Sequence, residues 1–200
     1  MNKLHYLLQF FKDPKVAAVG PTSRRVVEGV CDGLPFDRDI RLLELGPGDG
    51  AVTRKVLDRL SSGSRVLALE TNESFYKELA SWDDPRLTVI QDRAENFLRH
   101  MEQQGFKGVD HIISGIPSSM LSHEQRIDLV MNFYRSLEEG GTAMVYQLSP
   151  LMKKYIRNFM ELEDMDIKMN GLLPMFLMKG RKKYRKDPVE RTQGAAGSGT

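Results

Sequence analysis

The chain has one cysteine, Cys31, in 200 residues. That excludes a disulfide framework or a cysteine-rich zinc site within one chain, and a reducing compartment is expected. Its apolar runs fall far short of the roughly 20 residues that cross a bilayer, so no membrane-spanning helix is expected. The Leu4 to Phe11 stretch lacks a small-residue cleavage site, and no secretory signal is expected either. Charge of one sign is scarce too. With 29 Lys and Arg against 27 Asp and Glu, the net charge of +2 is too small for a protein that coats a polyanion, so any basic surface is local. The histidines His5, His100, His111 and His123 lack the i, i+4 spacing of a helical zinc pair, and no metal site is expected. What remains fits a single cytoplasmic domain with a full core.

The chain is organised around Arg41-Leu42-Leu43-Glu44-Leu45-Gly46-Pro47-Gly48-Asp49-Gly50. An apolar strand runs into a glycine turn, and Ala51 to Leu60 is compatible with a helix. Glycine belongs where φ is positive or where backbone must approach a ligand, because a Cβ collides there. The helix then presents its free N–H groups to whatever rests on the turn. A second strand, Arg65 to Leu69, ends in Glu70, about 20 residues further on, where a carboxylate can accept from both ribose hydroxyls of an adenosine. Glu44 stands two residues before the first glycine and Asp49 between the second and third; both would repel a pyrophosphate, but they suit a cationic or zwitterionic ligand.

Glu44, Gly46, Gly48 and Gly50 match the first motif of the class I S-adenosylmethionine-dependent methyltransferases, which the sequence resembles. The resemblance implies S-adenosylmethionine as cofactor, a molecule with a sulfonium and an ammonium. It also implies an α/β, Rossmann-like fold, with a seven-stranded, mostly parallel sheet in the order 3-2-1-4-5-7-6 and helices on both faces. An N-terminal amphipathic helix is expected in addition, from periodicity: Leu4, Leu7, Leu8 and Phe11 recur at i, i+3, i+4, i+7, broadened by Phe10 and flanked by Lys3, Lys12 and Lys15. Such a helix can lie in an anionic membrane interface through Leu4, Leu7, Leu8, Phe10, Phe11 and Lys12, or pack as a lid over the cleft of its own domain. Residues 1–20 are read as this helix and a lead-in segment, 21–184 as the methyltransferase domain, and 185–200 as a basic, disordered tail.

Thr22 or Ser23 can cap a helix running to about Cys31, or hold a carboxylate such as the methionine end of the cofactor. A helix from Asn72 to Ala80 leads to the strand Leu87–Ile90 and then to Gln91-Asp92-Arg93-Ala94. Ligands of open α/β sheets sit beyond the carboxyl ends of the strands. In the resembled family an acid here accepts from the adenine amino group, which carries that role to Asp92, with Arg93 beside it; a plain helix cap is the other reading. The fourth strand, Val109–Ile113, ends in Ser114-Gly115-Ile116-Pro117-Ser118-Ser119. In methyltransferases acting on nitrogen, the corresponding loop binds the amine through backbone carbonyls and its first side chain, which implies Ser114, Gly115 and Pro117 here. The resemblance also implies that Ser114 borders the cofactor. No aromatic follows Pro117, so the stacking surface a base-directed enzyme needs is missing.

A helix from His123 to Leu137 with Ile127, Val130, Met131 and Tyr134 on its core face is expected next. It is followed by a strand from Thr142 to Gln147, a helix from Leu151 to Leu162, and strands Asp166–Met169 and Pro174–Lys179. Phe11 to Arg24, the glycine motif, Ser114 to Pro117 and Asn170-Gly171-Leu172-Leu173-Pro174 together resemble small bacterial phospholipid N-methyltransferases. That resemblance implies the ethanolamine headgroup of phosphatidylethanolamine as substrate, methylated toward phosphatidylcholine, by a protein bound peripherally to the inner face of the cell membrane. His111, Tyr146 or a headgroup phosphate oxygen can take the amine proton. Nucleic acid is not expected as a partner. The alternatives are methylation of RNA adenine, since rRNA adenine dimethylases share the sheet but usually add a helical domain after it, and a non-catalytic membrane-associated protein that keeps the cofactor fold.

Overall fold

The computed structural model describes residues 22–183. The expected N-terminal helix, with Leu4 to Lys12, and the expected tail lie outside the described residues. Alternation along the strands builds the fold, because successive side chains point to opposite faces of the sheet. In β1 (Arg41–Leu45), Leu42 faces one side and Leu43 the other, and both are fully buried. The odd and even positions of the strands therefore feed two cores, one on each face.

The first core joins Leu42, Val66, Ile113, Met144 and Leu177 to α1 (Arg24–Cys31) and α2 (Ala51–Leu57). The second joins Leu43, Leu67, Ile112, Val145 and Met178 to α4 (Phe97–Gln103), α5 (His123–Ser136) and α6 (Met152–Phe159). Between them run β2 (Arg65–Glu70), β3 (Leu87–Gln91), β4 (Val109–Ser114), β5 (Leu137–Gln147), β6 (Glu161–Asn170) and β7 (Leu173–Arg181), with α3 (Glu73–Ala80) after β2. The sheet order is β3-β2-β1-β4-β5-β7-β6, as expected. Pairings from β3 to β5 are parallel, and β7 is antiparallel to both β5 and β6. No helix among the described residues is long and apolar enough to cross a membrane.

Several boundaries differ from the sequence expectation. α5 buries Leu129, Val130 and Phe133, whereas Ile127 and Tyr134 lie at the margin of the core, so its face is turned from the one expected. Its start is fixed by a reciprocal capping box between Ser122 and Gln125. β5 begins at Leu137, straight after α5, and runs through Gly140 and Gly141. Gly141 has no room for a side chain, because a Cβ there would lie 2.8 Å from the Asp110 carbonyl oxygen. The terminal strands are longer than expected, and Arg181, two residues past the expected strand end at Lys179, is the last residue of β7, bonded to Glu163 and to the Gly140 carbonyl.

Candidate active site

The carboxyl ends of β1, β2, β4 and β5 meet the glycine turn. Gly46, Gly48 and Gly50 all have positive φ, at 70°, 57° and 74°, which L residues adopt only at a cost. The three glycines are required for different further reasons. A Cβ on Gly50 would lie 2.5 Å from the Trp82 ring and 2.6 Å from Leu79, and one on Gly46 would lie 2.9 Å from Ile116. Those two positions are closed by packing. A Cβ on Gly48 would meet nothing within 4 Å, so the turn presents bare backbone to open space there.

Two carboxylates stand by the turn, one beside that space and one beneath the surface. Glu70, the last residue of β2, accepts from the Gly48 N–H at 3.0 Å and from the Asn72 N–H at 2.8 Å. Glu44 is fully buried; its Oε2 accepts from the Thr53 hydroxyl at 2.8 Å, and its Oε1 has no protein partner. Burial pushes its carboxyl up to about 7, with the Thr53 bond working against that rise and the charge of Glu70 adding to it. An unmatched buried oxygen costs about 1–3 kcal/mol. A cationic ligand over the turn would remove that cost, so the residues present fit S-adenosylmethionine. Thr53 escapes a sequence reading because nothing local marks it; it reaches Glu44 only because α2 folds back over β1.

Ser114 ends β4 with its hydroxyl buried and without a protein partner, as is the hydroxyl of Ser118 four residues later. The loop between them is held at both ends. The Gly115 N–H donates to the Leu45 carbonyl at 2.9 Å, and the Ser118 N–H donates to Oε1 of Gln147, at the end of β5, at 3.1 Å. Pro117 precedes a single turn of 3-10 helix, Ser118–Met120. Gly115 is obligatory, since a Cβ there would lie 2.5 Å from the Tyr146 hydroxyl and 2.9 Å from the Gly46 carbonyl oxygen. Tyr146 thus stands where the glycine turn meets the Ser114 loop. Burial, reinforced by Glu44, Asp49 and Glu70, pushes its phenol far above the ordinary range, so it stays protonated. It can orient a ligand but cannot serve as a base.

Other expected site residues are occupied elsewhere. His111 is in the interior of β4, bonded through Nδ1 to the Thr142 hydroxyl at 2.8 Å, and burial lowers its pKa to about 4. Ser114 is three positions further along the strand, about 10 Å away, which removes His111 as the proton acceptor. Asp92 is neither a free acceptor nor a plain cap. Its Oδ1 accepts from the Arg93 N–H at 2.7 Å and Asn96 at 2.8 Å, and its Oδ2 faces Arg99 and His100, each at 2.7 Å. These bonds, His100 foremost, hold its carboxyl well below the usual range. They fill the roughly four acceptor positions of a carboxylate. The Arg93 guanidinium is paired with Glu95. Ser23 occupies the N-cap position of α1 but caps nothing: its hydroxyl donates to the Met169 carbonyl at 2.9 Å, and its N–H donates to Asn170 Oδ1 at 2.6 Å. Thr22 precedes it, half-buried.

Residues 21–104 match the model of the ribosomal RNA adenine dimethylase family. An ornithine lipid N-methyltransferase of Singulisphaera acidiphila is 24% identical over 160 residues, 78% of this chain and 83% of that protein. TrmN from Thermus thermophilus superposes with a TM-score of 0.67 at 18% identity over 85% of this chain, which spans about half (52%) of TrmN. The fibrillarin of Aeropyrum pernix, solved with natively bound S-adenosyl-L-methionine, has a TM-score of 0.61 at 18% identity, covering 83% of this chain and 74% of that one.

Proposed function

We propose that this chain is an S-adenosylmethionine-dependent methyltransferase that methylates the primary amine of a membrane lipid, with the ethanolamine headgroup of phosphatidylethanolamine as the acceptor. The observation that carries the reading is the Ser114 loop. A buried hydroxyl without a partner stands at its start, a protonated phenol lies against Gly115, and Ser118 takes the place where a base-directed enzyme would carry an aromatic. The ornithine lipid N-methyltransferase, matched over most of both chains, supports a lipid-borne amine and makes an aminoacyl lipid the second acceptor to try.

In this reading Glu70 holds the ribose hydroxyls, Gly46 and Gly48 let the cofactor approach, and Glu44 faces its positive charge. Bound S-adenosylmethionine supplies a methyl group activated by a sulfonium. The protein aligns and shields, because an in-line displacement needs no covalent help from a side chain. Ser114 Oγ accepts an N–H of the amine and aims its lone pair, with the carbonyl groups of the loop beside it. Since Tyr146 and His111 are unsuited to the task, the amine sheds its proton to water or to the headgroup phosphate before attack. The chain works at the inner face of the cell membrane, where its N-terminal apolar stripe can reach lipid.

Incubation with methyl-labelled S-adenosylmethionine and vesicles of phosphatidylethanolamine, vesicles of ornithine lipid, or RNA tests the proposal. Label is expected in phosphatidylethanolamine, and Ser114→Ala should lower turnover about tenfold, the worth of one hydrogen bond. Label in RNA alone would overturn the lipid reading.

Glu44 imposes opposite pH dependences on the empty and the loaded protein. Its folded pKa of about 7 exceeds the ordinary 4.5, so between those values the empty fold holds a proton that the unfolded chain has released. Stability from this group is fully present below pH 4.5 and is lost as pH rises through about 7, a change of about 3 kcal/mol. A bound cation favours the ionised form. Cofactor affinity therefore falls by up to about tenfold per unit as pH drops below 7. Glu44→Gln should flatten both profiles, read by thermal melts and calorimetry. A wild-type affinity independent of pH would take Glu44 out of contact with the positive charge.

A further inference from the structure

We propose that the β6–β7 hairpin and the Ser118–Met120 turn form a docking surface for an anionic lipid bilayer, standing at the rim of the candidate active site. Among the described residues five large hydrophobic side chains are exposed, and four of them are here: Met120, Ile167, Met169 and Leu172, the last 82% exposed. The fold brings them to one end of the molecule. The Ser118 N–H is bonded to Gln147, Gln147 is in register with Phe176, and Phe176 is in register with Ile167. Gln147 is the last residue of β5. The hairpin therefore runs on for three more residues, Met175 to Leu173, and overhangs the carboxyl edge of the sheet by about 10 Å.

Ile167 and Met169 share a face of β6 with Met165, which packs on the core beneath α6. They continue that core's apolar face outward, past the point where α6 covers it. An uncovered apolar projection is costly in water, and single-chain proteins seldom keep one without a partner. The neighbouring charge favours a bilayer as that partner. From Ile167 to Lys183 there is no acidic residue, and α6 contains Lys153, Lys154 and Arg157 with none. None of the three is ion-paired with a described residue. Lys168, between Ile167 and Met169, is paired with Asp166, so the free positive charge of this end comes from α6, which starts just beyond the carboxyl end of β5. An apolar projection beside such cations suits an interface of acyl chains beneath anionic headgroups. Docked this way, the Ser114 loop faces the headgroup layer.

This inference rests on the lipid-amine reading, and the two can fail separately. Docking is scored by sedimentation of the full chain with phosphatidylglycerol-containing vesicles, without cofactor; the acceptor is scored by methyl transfer to lipid in detergent micelles. The double variant Met169→Ser, Leu172→Asp is expected to lower vesicle partition at least about tenfold, with a wild-type melting temperature and unchanged transfer in micelles. Lys153→Glu with Lys154→Glu should weaken partition to anionic vesicles and spare neutral ones. A wild-type chain that stays in the supernatant, or equal partition of wild type and the hairpin variant, overturns the docking surface. Equal partition with a lower melting temperature in the variant would mean that residues 1–21 cover the hairpin. Loss of a wild-type dimer on ultracentrifugation, again with equal partition, would mean that a second copy does. Partition lost in the variant, with no transfer to any lipid, would keep the docking surface and remove the acceptor.

Discussion

Gly48→Val is expected to abolish cofactor binding, by more than a thousandfold, in a protein that still folds. The two halves of that statement come from different observations. Holding a β-branched residue at a φ of 57° costs about 1–2 kcal/mol, which lowers the melting temperature of a domain of this size by about 2–8 °C. The added Cβ itself meets no atom within 4 Å in the empty protein, so no backbone or packing collision opposes the fold at that atom. The valine side chain instead fills the space into which the turn opens. Gly50→Val supplies the contrast, since its Cβ would collide with Trp82 and Leu79, and it should fail to fold stably. Circular dichroism with calorimetry reads both. Near-normal affinity in folded Gly48→Val would mean that this turn needs its glycines for conformation alone.

That contrast also marks how far the sequence could be read. The three glycines signal a tight turn, and their spacing after a buried strand matches one family's motif, but the sequence does not reveal which glycine faces packing and which faces a ligand. The parallel strands were legible because a strand buried on both faces reads as a short apolar run: β1 and β2 are almost wholly buried. The start of β5 was not. Glu138-Glu139-Gly140-Gly141 has the composition of a helix stop and turn, yet the strand continues through it, paired to β4 across an irregular register.

Side-chain commitments were the least legible. Ser23 is held by residues about 147 positions away in sequence, and His111 by a residue 31 away. Such contacts depend on the completed sheet, and no local pattern encodes them. Asp92 is the instructive case. Its position just past β3 is legible in the sequence, but the residues that fill its carboxylate, Asn96, Arg99 and His100, lie on the next helical segments, where they look like an ordinary polar face. The edge of the sheet points to a site, whereas the free valences there can be counted only in three dimensions.

Glu70→Ala should be the most damaging change among the charged residues of the turn. A carboxylate receiving both ribose hydroxyls contributes two charge-assisted bonds of about 1.5–3 kcal/mol each. Losing both lowers affinity for S-adenosylmethionine by about a hundredfold to ten-thousandfold. The same carboxylate also holds the turn, through the Gly48 and Asn72 N–H groups, so part of the loss could come from a loosened loop. Glu70→Gln would not separate the two effects, because an amide has a single oxygen and would set its NH2 against one of those backbone donors. A ligand lacking the hydroxyls does separate them. The 2′,3′-dideoxyribose analogue of the cofactor should bind the wild type about as weakly as S-adenosylmethionine binds Glu70→Ala, and the variant should not discriminate between the two ligands. If the variant still prefers the natural cofactor by the wild-type factor, Glu70 shapes the turn and the ribose is held by other groups.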